Sequence, residues 1–145
     1  MDCVFCAIIQ ARAPASVVAQ GDRVLAFMDL RQPQPGHVLV VPKRHVPTVH
    51  DLDDGEAAEV MQLAVRIARA LRDVEDAPGL TLWQSNGEAA GQEVPHVHLH
   101  LQPRRHRDGL YRLYAGGLPA PAPRARLDEM ARALRNRLQT LDPEP

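Results

Sequence analysis

Apolar and polar residues alternate along this chain in short segments that predict five β-strands. These segments are rich in β-branched or apolar residues and lie at 16–19, 23–28, 37–41, 80–85 and 96–101. Turn-forming residues separate them, such as the run QPQPG at 32–36 and the glycine-containing stretch at 86–91. Short strands joined by turns favour a mainly antiparallel sheet.

Two further segments have the periodicity of helices. After the third predicted strand, Asp53 and Glu56 have the spacing of a capping box. The apolar stripe that follows comprises Val60, Met61, Ala64, Ile67, Ala68 and Leu71, and Pro78-Gly79 is expected to end this element. A second stripe, near the C-terminus, comprises Leu127, Met130, Ala131, Leu134, Leu138 and Leu141. We expect both stripes to pack on a core, which predicts an α+β fold with one long helix after strand 3 and a C-terminal helix.

Composition and net charge limit the classes of protein to which this chain can belong. The 145 residues suit a single domain, and 45% hydrophobic with 24% charged residues is an ordinary globular balance. The net charge of −1 gives no reason to expect nucleic acid or an anionic membrane as a partner. No apolar stretch approaches the ~20 residues of a membrane span. The first three residues lack the basic and apolar parts of a secretory signal, so we expect a cytoplasmic protein.

Three histidines alternate with apolar residues in the last predicted strand. His96, His98 and His100 would share one face of that strand at intervals of roughly 6.6–6.8 Å, and the apolar residues between them would point to the core. Solvated surface positions would carry mixed polar residues instead of one type three times. Histidines two apart on a strand also suit a metal ion, so here the metal and catalytic interpretations carry comparable weight.

The loop before this strand favours chemistry on a phosphate. Asn86 to Gln92 reads NGEAAGQ, in which glycines let backbone N–H groups approach an anion and the two amide side chains add donors. Imidazoles are basic near neutral pH and can be oriented through their second nitrogen. Anion-binding donors beside imidazoles indicate nucleophilic attack on phosphorus.

Two cysteines, Cys3 and Cys6, form a Cys-x-x-Cys pair at the amino terminus. In a cytosolic chain this spacing is more typical of metal binding or redox chemistry than of a structural disulfide.

These segments together resemble the histidine triad superfamily. The stretch at 91–101 (GQEVPHVHLHL) resembles its signature, and the stretch at 3–9 (CVFCAII) resembles the amino terminus of its bacterial members. LAFMD at 25–29 and PGHVLVVPKRH at 35–45 resemble the second and third strands of the family. The matches run in family order over 3–105, which implies one domain across 1–145 with a helix-bearing extension at 106–145.

The resemblance implies a nucleotide hydrolase. In the family the middle histidine, here His98, attacks the α-phosphorus and forms a nucleotidyl-imidazole that water hydrolyses. His100 would hydrogen-bond the phosphoryl oxygens or the leaving group, and His37 would complete the constellation from the neighbouring strand. Expected substrates are nucleoside phosphoramidates, dinucleoside polyphosphates or related conjugates. A histidine at the third triad position favours hydrolysis; the alternatives are a nucleotidyl transferase or phosphorylase, and a non-catalytic nucleotide-binding adaptor.

The resemblance also implies how a nucleotide, with adenine favoured, is bound. Asn86 and Gln92 match positions that contact phosphates or ribose, and Asp29 matches an acidic residue that accepts from ribose hydroxyls. An apolar base pocket would be formed by Phe5, Ile8, Phe27 and Leu30, although plain core packing explains these residues as well.

Zinc and a second subunit are the remaining implications. Cys3, Cys6, His45 and His96 match the zinc ligands of many bacterial members, and two thiolates with two imidazoles make a closed, structural type of site. Family members form symmetric dimers, so we expect a homodimer.

Two residues depart from the family pattern. Gln102 replaces an apolar residue, which predicts that the strand ends or turns outward there. Glu93 stands where some branches place a small hydroxyl residue, and it adds a negative charge near the phosphates.

Overall fold

The described chain contains an α+β domain and, after it in sequence, a C-terminal helix. In a computed structural model, which describes residues 3–110 and 114–141, the strands are β1 (Val17–Gln20), β2 (Val24–Met28), β3 (Val38–Pro42), β4 (Gly79–Trp83) and β5 (Leu99–Arg104). The α-helices are α1 (Val4–Ile9), α2 (Asp54–Glu75) and α3 (Arg124–Leu141), and short 3-10 turns lie at Val49–Asp51 and Glu88–Ala90. This confirms the predicted α+β class with one long helix after the third strand.

The strands form one five-stranded sheet in the order β1-β2-β3-β5-β4. Every neighbouring pair is antiparallel, as the short strands and turns predicted. The last strand in sequence, β5, therefore lies between β3 and β4. Its residue His100 is paired with Leu39 on one side and with Trp83 on the other.

The histidine strand begins later than predicted. The N–H of His96 bonds to the carbonyl of Val94 at 2.8 Å, and the N–H of Val97 bonds to the carbonyl of Val46 at 2.7 Å. Both groups therefore lie outside the β-ladder, which starts at Leu99. The strand also continues past Gln102 to Arg104, so the expectation that it ends or turns outward at Gln102 is wrong. Gln102 is buried, and its Nε2 donates to the carbonyls of Pro103 and Gln34.

Helix α2 covers one face of the sheet. Asp53 caps it: its Oδ1 accepts the N–H of Glu56 at 2.8 Å, and the Glu56 side chain accepts the N–H of Asp53, which confirms the capping box. The buried stripe of the helix comprises Val60, Leu63, Ala64, Ile67 and Leu71. Met61, predicted to belong to this stripe, is half exposed. The helix ends at Glu75, and its C-cap Asp76, two residues before the predicted Pro78, is in the left-handed conformation.

Alternation along the strands divides the core between the two faces of the sheet. The residues facing α2 include Val24, Ala26, Val38, Val40, Leu99 and Leu101. The alternate residues Leu25, Phe27, Leu39 and Val41 pack with Cys3 and Phe5 from the amino-terminal segment. Helix α1 was not predicted, because six residues are too short for helical periodicity to be visible. The candidate functional side chains lie on this second face.

Helix α3 differs from the expectation that its apolar stripe packs on a core. None of its side chains is buried, and Leu127, Met130, Leu134, Leu138 and Leu141 are all exposed. The chain divides into two compact units, one ending at Leu110 and the other containing α3. Among the described residues, no helix is both long and apolar enough to cross a membrane.

A buried carboxylate joins the start of α2 to the end of β3. Glu56 is only 3% exposed. Its two oxygens accept from Nε and an Nη of Arg44 at 2.8 and 2.6 Å, and the same Nη also donates to the carbonyl of Asp51. The hydrogen bonds from Arg44 lower the pKa of Glu56 below its ordinary value.

The capping side chain should contribute measurably to stability. We expect Asp53→Ala to lower the free energy of unfolding by ~1 kcal/mol, because it leaves the N–H of Glu56 without its acceptor. Urea denaturation measures this change. The control is Asp54→Ala, which removes a neighbouring exposed carboxylate that makes no cap; equal losses in the two variants would contradict the assignment.

The ion pair should make stability depend on pH. Because the pKa of Glu56 is lowered by folding, its contribution is complete above the ordinary value of 4.5 and is lost as pH falls towards the folded pKa. We expect Glu56→Gln to be less stable at neutral pH and to lose less stability than the wild type on acidification. Urea titrations at several pH values test this, with the exposed Glu88→Gln as control. Parallel curves for wild type and Glu56→Gln would contradict it.

Candidate active site and metal centre

His98 is held in one tautomer by the backbone. Its Nδ1 lies 2.6 Å from the carbonyl oxygen of His96, so Nδ1 carries the proton and donates it there. Nε2 is thereby left with a free lone pair. The ring of Phe5 packs edge-on against the imidazole at 5.1 Å. Burial lowers the pKa of His98, which keeps the ring neutral, and a neutral imidazole with an unprotonated nitrogen can act as a nucleophile.

His37 and His100 form a hydrogen-bonded pair beside His98. Nε2 of His37 lies 3.0 Å from Nδ1 of His100, while Nδ1 of His37 donates to the carbonyl of Arg31 at 2.9 Å. The two ring centres are 5.2 Å apart and the planes differ by 21°, so the rings meet edge to edge in nearly one plane. Burial, followed by the charges of His98 and His37, lowers the pKa of His100 to about 3.

Trp83 lies over this pair, and no sequence pattern predicted its contact with it. The indole is parallel to the imidazole of His100 within 6° at a centroid distance of 4.2 Å, and it lies 5.4 Å from the centre of His37. The antiparallel register makes Trp83 the direct partner of His100 on the edge strand β4. The sequence assigned Trp83 to a strand, but only the register identifies its neighbour.

The loop that carries His37 is organised by Gln32, a second residue that sequence reasoning missed. Its Oε1 accepts the N–H groups of Gly36 and His37, and its Nε2 donates to the carbonyls of Asp29 and His37. Gly36 has φ +97°, and a Cβ there would lie 2.8 Å from Pro103. These hydrogen bonds hold His37 directly before the start of β3.

Asn86 and Gln92, in the loop between β4 and β5, use their side-chain amides for hydrogen bonds within the protein. Oδ1 of Asn86 accepts the N–H of Val49 at 2.7 Å, and its Nδ2 donates to Gln84 at 2.6 Å. Oε1 of Gln92 accepts the N–H of Gly87, and its Nε2 donates to the carbonyl of Pro47. In this structure the two amides therefore connect this loop to Pro47 and Val49. Their contact with a phosphate or ribose stays a prediction.

The four residues expected to form an apolar base pocket are only partly brought together. Phe5 and Phe27 are buried and in edge contact at 5.5 Å, with Ile8 packed against the same cluster. Leu30, in contrast, is 99% exposed. The structure does not place Leu30 with the other three, because the chain leaves β2 at Met28 and turns outward.

Charged residues border the His37–His100 pair. Oδ2 of Asp29 lies 3.7 Å from Nδ1 of His37, and its Oδ1 accepts the N–H of Arg31. The guanidinium of Arg31 pairs with Glu93 at 3.3 Å, with both side chains largely exposed. The charge that Glu93 adds near the site is thus partly balanced by Arg31.

A second cluster gathers the four residues expected to bind zinc. The ligand atoms of Cys3, Cys6, His45 and His96 all lie within 4.8 Å of one another. Nδ1 of His96 is 3.4 Å from the sulfur of Cys3, and Nδ1 of His45 is 3.3 Å from that of Cys6. The cluster could therefore hold a metal ion.

The chemistry of these donors fits a metal. Nε2 of His96 donates to the carbonyl of Pro42 at 2.8 Å, which leaves the lone pair of Nδ1 directed at the thiols. Burial raises the pKa of Cys6, and the neighbouring Cys3 raises it further, so a bound cation would relieve an unfavourable pair of thiolates. Two sulfurs and two nitrogens match the ligand preferences of zinc.

Comparison with known sequences agrees with this geometry. The HIT domain family model matches residues 10–107. "Protein hit" of Bacillus subtilis is 42% identical over 103 residues, which are 71% of each chain. An adenosine 5'-monophosphoramidase of Saccharomyces cerevisiae is 36% identical over 71% of this chain and 63% of its own. An adenylylsulfatase of Arabidopsis thaliana is 34% identical over 76% of this chain and 56% of its own.

Solved structures are similar over nearly the whole chain. A HIT-family protein from Bacillus subtilis has a TM-score of 0.86 at 33% identity, covering 94% of this chain and 97% of its own. A zinc-bound histidine triad family protein from Mycobacterium smegmatis has a TM-score of 0.71 at 34% identity, covering 98% and 99%. From the family match, the sequence identities and the shared fold, this chain belongs to the HIT-domain family.

Proposed function

We propose that this protein hydrolyses nucleotides at the α-phosphate through a covalent nucleotidyl-His98 intermediate. The observation that carries the proposal is the free Nε2 of a buried, neutral His98 beside the hydrogen-bonded His37–His100 pair. Relatives named adenosine 5'-monophosphoramidase and adenylylsulfatase support a substrate that contains an adenylyl group. The substrate class is therefore an adenylyl group joined to an amine, a sulfate or a similar leaving group.

In the first step, Nε2 of His98 attacks the α-phosphorus and the bond from phosphorus to the leaving group breaks. The leaving group needs a proton, and the histidine pair can carry it. In the proton-loaded pair, Nε2–H of His37 donates to Nδ1 of His100, and His100 donates its own Nε2–H to the leaving group. Before this transfer the positive charge lies on His37, beside the carboxylate of Asp29 at 3.7 Å. As His100 gives up its Nε2 proton, the Nε2 proton of His37 passes to Nδ1 of His100, and both rings become neutral.

In the second step, water attacks the phosphorus and the phosphorus–nitrogen bond to His98 breaks. Nε2 of His100 accepts the proton that the water loses. The Nδ1 proton of His100 returns to Nε2 of His37, which restores the protonated pair. The nucleoside monophosphate leaves, and both histidines return to their starting state. The same pair thus serves as acid in the first step and as base in the second.

Binding of the nucleotide is proposed to use Asp29 for the ribose and the apolar residues Phe5, Ile8 and Phe27 for the base. Asp29 lies beside His37, with its Oδ2 3.7 Å from Nδ1 of that ring. Leu30 is exposed, so it can contact the base only if the loop after β2 moves inward when a nucleotide binds.

A structural zinc and a homodimer complete the proposal. Zinc would be held by Cys3, Cys6, His45 and His96, where it fixes the amino terminus against the sheet. The fit of the donor set and the zinc-bound relative support it. An edge strand such as β4, open on one side, is suited to pairing with a second copy.

Loss of the nucleophile should abolish turnover. We expect His98→Asn to lower the rate of AMP release from adenosine 5'-phosphoramidate by roughly 10³-fold or more, because no covalent intermediate can form. Chromatography of the products measures the rate, and circular dichroism checks that the variant is folded. The control is His106→Asn, an exposed histidine outside the site.

Two outcomes would contradict the proposal: a His98→Asn variant as fast as the wild type, or a wild type that releases no AMP from any adenylyl substrate. Adding inorganic phosphate separates hydrolysis from phosphorolysis, since the latter would yield ADP in place of AMP.

Zinc should be present and should matter for stability. Protein purified without chelator is expected to contain one zinc per chain, and Cys6→Ser is expected to weaken zinc binding by at least roughly 10-fold, because one thiolate is lost. Elemental analysis and competition with a chelating dye measure these effects. Cys6→Ser should also unfold at a lower temperature, as should wild type treated with chelator. A metal-free wild type of unchanged melting temperature would contradict the assignment.

A further inference from the structure

Trp83 occupies a position from which it controls the alignment of the His37–His100 pair. The two imidazoles lie edge to edge in nearly one plane, joined by the 3.0 Å hydrogen bond. The indole lies above that plane, 4.2 Å from the centre of His100 and 5.4 Å from that of His37. One flat side chain therefore covers both members of the hydrogen-bonded pair.

The indole covers the pair on the side of the sheet that faces β4. On the β3 side, His100 is paired with the buried Leu39. On its other side, β4 is the one further strand among the described residues, and it forms the edge of the sheet within one chain. Trp83 is the cross-strand partner of His100 on β4, so the indole flanks the imidazole on that side.

A proton can pass between His37 and His100 only while their nitrogens remain collinear and close. Water that entered between the rings would bond to the same nitrogens and break the direct contact. Rotation of the His100 ring about its second side-chain torsion, which has a broad energy minimum, would do the same. A parallel indole opposes both changes, because it fills the space above the ring and disfavours tilting.

We propose that Trp83 is a positioning residue that holds the His37–His100 pair in plane and hydrogen-bonded, so that His100 can protonate the leaving group. This role rests on the proposed hydrolase function. It predicts that Trp83 matters most when the leaving group needs a proton to depart.

The experiment compares two adenylyl substrates that differ only in the leaving group. An alkyl phosphoramidate of AMP must be protonated at nitrogen, whereas the p-nitrophenyl ester of AMP leaves as a stable anion. We expect Trp83→Leu to lower kcat/KM for the phosphoramidate by about 10-fold or more and for the nitrophenyl ester by less than about 3-fold. Trp83→Phe, which keeps a flat ring, should recover most of the phosphoramidate activity.

The matched control is Leu82→Ala. Leu82 precedes Trp83 on the same edge strand, is equally exposed (38% against 37%), and points to the opposite face of the sheet. It should change the two rates equally and slightly. Equal losses on both substrates for Trp83→Leu, or no loss, would overturn the positioning role.

A readout without substrate separates this proposal from the hydrolase proposal. In the resting wild type, the ring proton on Nδ1 of His100 is hydrogen-bonded to His37 and should give a slowly exchanging, downfield NMR resonance. Trp83→Leu should broaden or lose that resonance through exchange with water, and Trp83→Phe and Leu82→Ala should retain it. If Trp83→Leu retains it, the positioning role is wrong whether or not the protein hydrolyses nucleotides. If wild type cleaves neither substrate but the resonance behaves as expected, only the hydrolase function fails.

Discussion

The hydrogen bond from Nδ1 of His98 to the carbonyl of His96 sets the state of the whole site. It assigns the proton of His98 to Nδ1 and leaves Nε2 with a free lone pair. His96 also contributes its side chain to the cysteine–histidine cluster, and its Nε2 donates to the carbonyl of Pro42. Three contacts thus involve His96: with Cys3, with Pro42 and with His98. Because His96 is fixed by the first two, the third fixes the orientation of the His98 ring. The cysteine–histidine cluster and the proposed nucleophile are thus only two residues apart along the backbone.

Much of this arrangement could be predicted from local sequence. The alternation of histidine and apolar residues, the capping box at Asp53 and the Cys-x-x-Cys pair are local patterns with local physical causes. Their consequences in the fold are the α+β sheet, the start of α2 and the gathering of four possible metal ligands. The candidate histidines are close together because antiparallel pairing sets His100 opposite the start of β3.

What could not be predicted depends on register and on loop closure. Trp83 lies over His100 only because β4 pairs with β5 residue by residue, and no local pattern fixes that register. Gln32 ties its loop through four hydrogen bonds to backbone groups, which a sequence of turn-forming residues does not reveal. Leu30 and the apolar stripe of α3 were expected to be covered but are exposed, because periodicity indicates an apolar face without indicating what lies against it.

The position of β5 in the sheet also determines when the site can exist during folding. The contacts that build it join residues far apart in the chain: His37 with His100 across 63 positions, and Cys3 with His96 across 93. The hairpin of β2 and β3 can form early, since its strands are neighbours in sequence, but it must wait with one edge unpaired until β5 arrives. A chain emerging from the ribosome therefore presents its amino-terminal cysteines and His37 long before their partners have been synthesised. Exposed thiols and an open strand edge leave the incomplete chain susceptible to oxidation and aggregation during that interval.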